Sequence, residues 1–267
     1  MARNDKVVLS IGAHPDDAEF MCAGTLSLLH ERGWEVHIAT MAPGDCGTVQ
    51  YAREEISRIR KGESAKAAAM LDGHYHCLEC GDIFIMYDRG TLLKTIELVR
   101  KVRPKIVLTL SPSDYMVDHE TASRLAQTAC FCCGVVNVET PGAEPFEPIP
   151  HLYYMDAVEG KDKLGTAIEP SMIVDISSVI DTKEKFEEHR SVLAQRVWTR
   201  MKETDSHECR NCHIAEKMNT ELQTEKARAR HEKGRAEGLT CIDCHFGIAH
   251  KEPEGPGPRE MKVGASK

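Results

Sequence analysis

The sequence predicts an α/β fold built on a mostly parallel sheet with helices on both faces. Within residues 6–180, short apolar segments rich in β-branched residues alternate with longer segments of helical periodicity. A Gly, a Pro or a polar turn separates most of these segments. Such alternation is typical of parallel sheets, because a parallel connection needs a crossover that is usually a helix.

The predicted strands are short, and a loop with four prolines at residues 137–150 precedes the fourth of them. In chain order the strands cover residues 6–11, 35–41, 105–110, 152–155 and 172–176. The predicted helices cover residues 18–32, 53–71, 91–103 and 119–133. The first helix ends at Gly33 and the third ends before Pro104, as helix stop signals require.

Composition limits the classes of partner. The chain has 267 residues, enough for one or two domains, and a net charge of −8, which disfavours a nucleic-acid partner. No apolar run approaches the roughly 18 residues that a membrane-spanning helix needs. The first residues lead directly into a strand with no recognisable signal peptide. We therefore expect a cytoplasmic protein, and a periplasmic one only if the start site is misassigned.

Composition changes after about residue 180. Residues 198–267 contain 25 charged residues in 70, and only 11 are Val, Ile, Leu, Met, Phe or Trp. So little apolar area does not offset the chain entropy lost on folding without additional help. We predict a domain at residues 1–180, a small helical segment at residues 181–252 and a flexible tail at residues 253–267.

Two polar turns carry a candidate metal site. His14, Asp16 and Asp17 follow the first strand, and Asp118 and His119 follow the third. Because the carboxyl ends of parallel strands share one edge of the sheet, we expect the two turns to meet. Two His and one carboxylate suit catalytic Zn²⁺, and a further carboxylate can act as general base. The alternative is an Asp pair that only caps a helix.

These turns resemble the signature motifs of the PIG-L/LmbE-type N-deacetylases, zinc hydrolases that remove acetyl groups from N-acetylglucosaminyl conjugates. Residues 13–19, AHPDDAE, match the first motif, and residues 114–119, DYMVDH, match the second. The resemblance covers about residues 6–180 and implies a Rossmann-like α/β fold with one Zn²⁺ per chain. It implies metal ligation by His14, Asp17 and His119, with Asp16 as general base.

Further residues are candidates for contact with the substrate or with the metal ligands. Arg60 lies in an R-x-x-E pattern that matches the family's next helix, and Asp118 can orient a ligand through a hydrogen bond. The family's second motif often begins with a His that stabilises the tetrahedral intermediate, but Met116 stands here. Since a thioether cannot donate a proton, Tyr115 or Asp114 takes that role, or the chain does without it.

Two C-x-x-C-H motifs lie 32 residues apart, at residues 209–213 and 241–245. In c-type haem attachment the two thiols bond to haem vinyl groups and the His ligates the iron. Attachment is predicted at Cys209, Cys212, Cys241 and Cys244, and axial ligation at His213, His245, His231 and His250. A zinc site of four Cys is the alternative, although 28 residues between Cys212 and Cys241 exceed the spacing of common zinc ribbons.

Residues 181–252 resemble the C-terminal half of NapC/NirT-type multihaem cytochromes, which carry electrons from membrane quinols to periplasmic reductases. The resemblance implies two haem c groups and a redox partner if the chain is exported. The family's membrane anchor and first pair of haem motifs have no counterpart in this sequence. The chain therefore looks like two unrelated pieces joined near residues 179–181 by gene fusion, recombination or an assembly error.

The remaining His and Cys residues are predicted to be structural. His74 and His76 precede Cys77 and Cys80, but this spacing does not face them toward one ion as a zinc finger does. Thiols that are buried or at a strand edge are expected instead. His37 lies in a predicted strand and is expected to pack within the fold.

The main expectation is a cytoplasmic, zinc-dependent amidohydrolase that deacetylates a small N-acetylamino-sugar conjugate. It needs no nucleic acid and no membrane span, and a homo-oligomer is compatible with the sequence. An electron carrier with two c-type haems is the alternative. A third hypothesis is a fusion in which neither the hydrolase piece nor the cytochrome piece functions well.

Overall fold

A computed structural model gives the architecture of the chain. It describes residues 5–180, Thr199, Lys202 and residues 223–245, with Glu159 and Ile242 described by their backbone alone. The chain divides into two compact units, residues 1–183 and residues 184–267. Among the described residues, no helix is both long enough and apolar enough to span a membrane.

Five parallel strands form one sheet in the order β3-β2-β1-β4-β5. The strands are β1 (Val7–Gly12), β2 (Glu35–Thr40), β3 (His74–Cys77), β4 (Ile106–Thr109) and β5 (His151–Tyr154). β1 lies at the centre, and all of its residues are buried. Gly12 pairs with Thr40 of β2, and Ile11 pairs with Thr109 of β4.

Helices connect the strands in sequence. They are α1 (Asp17–Met21) and α2 (Ala23–Glu31) before β2, α3 (Arg53–Ala69) before β3, α4 (Arg89–Val102) before β4 and α5 (Val117–Cys132) before β5. Right-handed crossovers place α2 and α3 on one face and α4 and α5 on the other, because the chain reverses its direction across the sheet after β3. The α4 and α5 helices pack against one another. The strand side chains of Val8, Leu9, Ile11 and Val107 are fully buried between these layers.

The predicted fold class is confirmed, and the predicted helix ends lie within two residues of those observed. The helix predicted at residues 18–32 is two helices, because the backbone leaves the helical conformation at Cys22, where φ is −143° and ψ is 9°. The strand predicted at residues 172–176 is wrong. That segment pairs with no strand, and Ile176 lies against Gly24 of α2 instead. β3 has no counterpart in the prediction, since HYHC is too short and too polar to show a strand pattern.

In the described part of the second unit, Thr224 caps the start of α6 (Glu225–Ala236), and its hydroxyl accepts a hydrogen bond from the Ala227 N–H. A 3₁₀ turn follows at Cys241–Asp243. The Asp243 carboxylate is buried and lies 3.0 Å from the Lys202 ammonium. The predicted boundaries at residues 180 and 252 stay predictions, and residues 253–267 lie outside the described residues.

Candidate metal and catalytic site

The candidate site lies where the connections of the sheet change direction. β1 and β4 are adjacent, but β1 leads on one side to β2 and β4 leads on the other side to β5. The carboxyl ends of the two strands therefore diverge into a crevice, which is the usual ligand position in open parallel sheets. One polar turn follows β1 and the other follows β4. The sheet brings together the two turns whose residues the sequence predicted to meet.

Asp17 is buried at the start of α1 and organises the turn after β1. Its Oδ2 accepts hydrogen bonds from the N–H groups of Ala13 at 2.7 Å and His14 at 2.9 Å. Gly12 permits this approach, because a Cβ there would lie 2.8 Å from the Asp17 Cβ. Burial alone would raise the pKa of Asp17, but hydrogen bonding and the charge of His119 hold that pKa below its usual value. Asp17 is therefore ionised.

His119 is buried in the first turn of α5 between two carboxylates. Its Nε2 lies 3.4 Å from Asp17 Oδ1, and its Nδ1 lies 3.3 Å from Asp114 Oδ2. Burial would lower the pKa of His119, but the two carboxylates raise it to about 9. The pair of carboxylates therefore favours a positive charge at this point of the crevice.

His14 enters the site from the turn after β1. Its Nε2 lies 2.9 Å from Asp118 Oδ2, and the same oxygen accepts a hydrogen bond from the Ile83 N–H at 2.7 Å. The Asp118 carboxylate is buried, so these two donors hold it in place. When Nε2 carries the proton, Nδ1 of His14 keeps its lone pair and is able to bind a metal ion.

Asp16 lies beside these residues in a strained backbone conformation, with φ 105° and ψ −21°. Arg60 Nη2 of α3 donates a hydrogen bond to Asp16 Oδ2 at 2.8 Å, and the same atom donates to the Pro15 carbonyl. Burial raises the pKa of the Asp16 carboxyl, and the Arg60 charge opposes that rise. Arg60 therefore orients Asp16 and is not simply a solvated charge on α3.

The donor set fits a zinc ion. One ligand atom from each of His14, Asp17 and His119 lies within 4.8 Å of the other two. Two imidazoles and one ionised carboxylate are typical of catalytic zinc sites. His119 Nδ1 is buried without a hydrogen bond of good geometry, and the Asp114 carboxylate beside it would orient the ring. The Asp118 carboxylate would orient the His14 ring in the same way.

Asp114 and Tyr115, the two candidates for the role of the His that Met116 replaces, differ in burial and in contacts. Asp114 is buried and accepts a hydrogen bond from the Met116 N–H at 3.0 Å, so its carboxylate stabilises the turn before α5. Tyr115 is 64% exposed, and its ring lies edge-on to the His119 ring with 6.4 Å between centroids. Burial and neighbouring carboxylates raise the pKa of the Tyr115 phenol, which keeps its proton. Of the two side chains, Tyr115 is the more exposed and carries a proton.

Glu19 is a site residue that the sequence analysis did not single out. It lies on α1, and burial, aided by the carboxylates of Asp16 and Asp17, raises its pKa to about 7. Its place within the motif AHPDDAE was the available signal. Helical periodicity alone would assign it to a solvated face, because periodicity does not report neighbouring charges.

Part of the predicted haem site lies within the described residues. Cys209, Cys212, His213 and His250 lie outside them. The His245 N–H donates to the Cys241 carbonyl at 2.9 Å, so the second attachment motif forms a tight turn. The His231 ring of α6 lies 5.8 Å from the His245 ring, centroid to centroid. Two predicted attachment residues thus lie beside two predicted axial ligands.

Comparison with known proteins divides the chain in two. Residues 9–130 match the sequence model of the PIG-L family, described as GlcNAc-PI de-N-acetylase. Residues 159–255 match that of the NapC/NirT cytochrome c family, N-terminal region. Both resemblances are confirmed, while the assignment to the C-terminal half of the cytochromes stays a prediction. The second match begins inside the first compact unit, which extends to residue 183.

Solved structures share the fold of the first unit. The N,N′-diacetylchitobiose deacetylase of Pyrococcus horikoshii is 25% identical with a TM-score of 0.61, covering 70% of this chain and 71% of its own. A conserved protein of Thermus thermophilus is 28% identical with a TM-score of 0.57, covering 67% and 76%. The 4-carboxy-2-hydroxymuconate hydratase GalB of Pseudomonas putida is 23% identical with a TM-score of 0.60, covering 80% and 92%. The last similarity shows the fold alone.

Curated relatives resemble the other part of the chain. The denitrification system component NirT of Stutzerimonas stutzeri is 55% identical over 80 residues, which are 30% of this chain and 40% of that protein. The cytochrome c-type protein NapC of Escherichia coli is 53% identical over 89 residues, which are 33% and 43%. The chain therefore spans less than half the length of these relatives.

The predicted cytoplasmic localisation is wrong. The relatives belong to the NapC/NirT family, whose cytochromes are periplasmic or membrane-associated. The prediction depended on the first few residues and on the lack of a long apolar run, and these carry less information than two attachment motifs with their surrounding sequence.

Proposed function

We propose that the first unit is a metal-dependent hydrolase that removes the acetyl group of an N-acetylglucosaminyl-type conjugate. The observation that carries this proposal is the convergence of His14, Asp17 and His119 beside Asp16 at the carboxyl edge of the sheet. The PIG-L match and the similarity to a chitobiose deacetylase support an acetamide as the bond that is cleaved. A hydratase shares the fold, so the reaction is argued from the site and not from the fold.

The roles of the residues follow from their contacts. A Zn²⁺ ion held by His14, Asp17 and His119 would polarise the amide carbonyl and lower the pKa of a water molecule. Asp16 accepts the proton of the attacking water and passes it to the departing amine. Arg60 keeps the Asp16 carboxylate in one orientation, which spares the reaction the cost of ordering it.

Other side chains support the developing charge and the ligands. The exposed Tyr115 phenol donates a hydrogen bond to the oxyanion, in place of the His that the family often carries at Met116. Asp114 and Asp118 fix the orientation of the His119 and His14 imidazoles, respectively. We propose a small amino-sugar conjugate as the substrate, since the net charge of −8 disfavours polyanions.

Acetate release tests the proposal. The full-length protein is supplied with Zn²⁺ and a panel of N-acetylated amino sugars that begins with N,N′-diacetylchitobiose. Asp16→Asn should lower kcat by about 10²- to 10⁴-fold, the usual contribution of a general base. The metal content of this variant, measured by mass spectrometry, should equal that of the wild type, because Asp16 is not among the proposed ligands.

Asp72→Asn is a matched control, because Asp72 also has positive φ, at 48°, but lies exposed and away from the crevice. Its kcat should equal that of the wild type. Equal acetate release from Asp16→Asn and the wild type would show that Asp16 is not the base. Absence of acetate release across the whole panel would contradict a deacetylase.

We further propose that the second unit carries two covalently bound haem c groups and transfers electrons to a redox partner. The identity of 53–55% to NapC and NirT supports this proposal, together with the nearby His231 and His245 rings and the thiols of Cys241 and Cys244. Each thiol would add across a haem vinyl group, and imidazoles would ligate the iron.

An alkaline pyridine spectrum of protein purified from its native host tests the haem proposal. We expect two haem c groups per chain, and one after substitution of both Cys241 and Cys244 by Ser. Cys46→Ser in the first unit is the control, because Cys46 is exposed, as Cys244 is, but lies in no attachment motif. A spectrum without haem c would mean that the second unit does not act as a cytochrome.

A further inference from the structure

A second cluster of possible ligands lies on the two outermost strands of one side of the sheet. Glu35 and His37 are two residues apart along β2, so their side chains lie on the same face of the sheet. His74 of β3 pairs in register with His37, and His76 lies two residues further on the same face. The cluster occupies the amino-terminal half of β2, whereas the crevice lies at the carboxyl ends of β1 and β4. The two groups of residues are therefore separate.

The contacts within this cluster are close. His37 Nε2 lies 3.0 Å from Glu35 Oε1, and His37 Nδ1 lies 2.9 Å from His76 Nε2. His74 Nε2 lies 3.8 Å from the same Glu35 oxygen. The His37 ring is stacked on that of His76 at 5.2 Å and tilted toward that of His74 at 4.8 Å. Ligand atoms of Glu35, His37 and His74 all lie within 4.8 Å of one another.

We propose that Glu35, His37 and His74 form a second metal site, which binds a divalent transition-metal ion, with His76 positioning His37. Imidazole and carboxylate ligands are the donors that Zn²⁺ and its neighbours in the periodic table use in proteins. Three protein ligands, two of them more than 40% exposed, leave positions for water.

His76 has a specific task in this arrangement. When His37 donates its Nδ1–H to His76 Nε2, His37 Nε2 is unprotonated and presents its lone pair toward Glu35. A cation then lies between a nitrogen lone pair and a carboxylate oxygen that would otherwise repel one another.

The competing arrangement needs no metal. In it His76 donates its Nε2–H to His37 Nδ1, and His37 donates its own Nε2–H to Glu35. The heavy-atom distances are the same in both cases, because they do not show which nitrogen carries the proton. Direct observation of the rings during a metal titration separates the two arrangements.

The experiment is a Zn²⁺ titration of the full-length, EDTA-treated protein with ¹⁵N-labelled histidine, followed by NMR of the ring nitrogens. We expect the resonances of His37 and His74 to shift and saturate with a second equivalent of Zn²⁺. His74→Gln should abolish that equivalent, and His76→Gln should weaken it by about 10- to 100-fold. The His74 side chain is 59% exposed, so its replacement should leave the fold intact.

His30→Gln is the control, because His30 is a partly exposed residue of α2 outside the cluster. This variant should bind the second equivalent as tightly as the wild type. Ring resonances of His37 and His74 that do not move with Zn²⁺ would overturn the proposal, as would a His74→Gln variant with unchanged binding. The readout does not depend on acetate release, so failure of the second site and failure of the proposed hydrolase are distinguishable.

Discussion

His14 Nε2 lies 2.9 Å from Asp118 Oδ2, although 104 residues separate the two in the chain. The contact joins the turn after β1 to the first turn of α5 across the switch point of the sheet. It gives His14 a fixed ring orientation, which a metal ligand needs. The same carboxylate oxygen also holds the Ile83 N–H.

Removal of this carboxylate should weaken metal binding. We expect Asp118→Ala to lower the affinity for Zn²⁺ by about 10- to 100-fold, the usual cost of losing a carboxylate behind a ligating His. Asp118→Asn keeps an acceptor oxygen but loses the charge, so its affinity for Zn²⁺ should lie between those of the wild type and Asp118→Ala. Competition with a chromogenic chelator measures both affinities, and circular dichroism checks the fold. Unchanged affinity in Asp118→Ala would show that His14 needs no such support.

Gly12 should be intolerant of a side chain. A Cβ there would lie 2.8 Å from Asp17 Cβ and 3.0 Å from Asp17 Oδ2, so Gly12→Ala must displace the proposed ligand. We expect a loss of about 1–3 kcal/mol in the free energy of unfolding, as for other overpacked sites, together with weaker Zn²⁺ binding. Urea denaturation measures the first effect and chelator competition the second.

Gly62→Ala is the matched control for that substitution. Gly62 lies inside α3, and a Cβ there would meet nothing within 4 Å. Alanine in an open helix interior should stabilise the protein by about 0.5–1 kcal/mol. Opposite signs for the two variants would support the steric argument at Gly12, whereas equal effects would contradict it.

Arg100 should be among the most sensitive residues of the first unit. Its buried guanidinium donates to one hydroxyl and to four backbone carbonyls at the end of α5 and just after it, at Cys132, Cys133, Val135 and Val138. Arg100→Met should reduce the free energy of unfolding by at least about 3 kcal/mol, because the buried carbonyls would lose their donors. Lys101→Met changes an exposed neighbour and should cost less than about 1 kcal/mol in the same urea titration.

Thiol reactivity should separate buried from exposed cysteines. Burial raises the pKa of both Cys22 and Cys130 to about 12, so at pH 8 their reactive thiolates are rarer than that of a free thiol by a factor of roughly 10³. Cys46 is exposed. Iodoacetamide should label Cys46 first, and guanidinium chloride should make all three equally reactive. Peptide mass spectrometry reads the labelling, and early labelling of Cys130 would show that α5 opens in the native protein.

Sequence pattern was sufficient for the parts of the fold with strong local signals. The strand at β1 and the helix ends at Gly33 and Pro104 follow from apolar runs and from residues that cannot continue a helix. The strand prediction at residues 172–176 was wrong because an apolar, β-branched run fits either a strand or a segment that packs against a helix. Its packing partner, Gly24, is about 150 residues away, and local patterns do not report such distances.

The sequence by itself determined the α/β class, the two polar turns and the two family resemblances, since all of these depend on residues close together in the chain. Only the tertiary structure decided which carboxylate supports which imidazole, and that His74 lies with Glu35 and His37 and not with the nearby cysteines. The physical reason is that strand periodicity assigns a side chain to a face of the sheet. The order of the strands, which follows from crossovers and packing, assigns its neighbours.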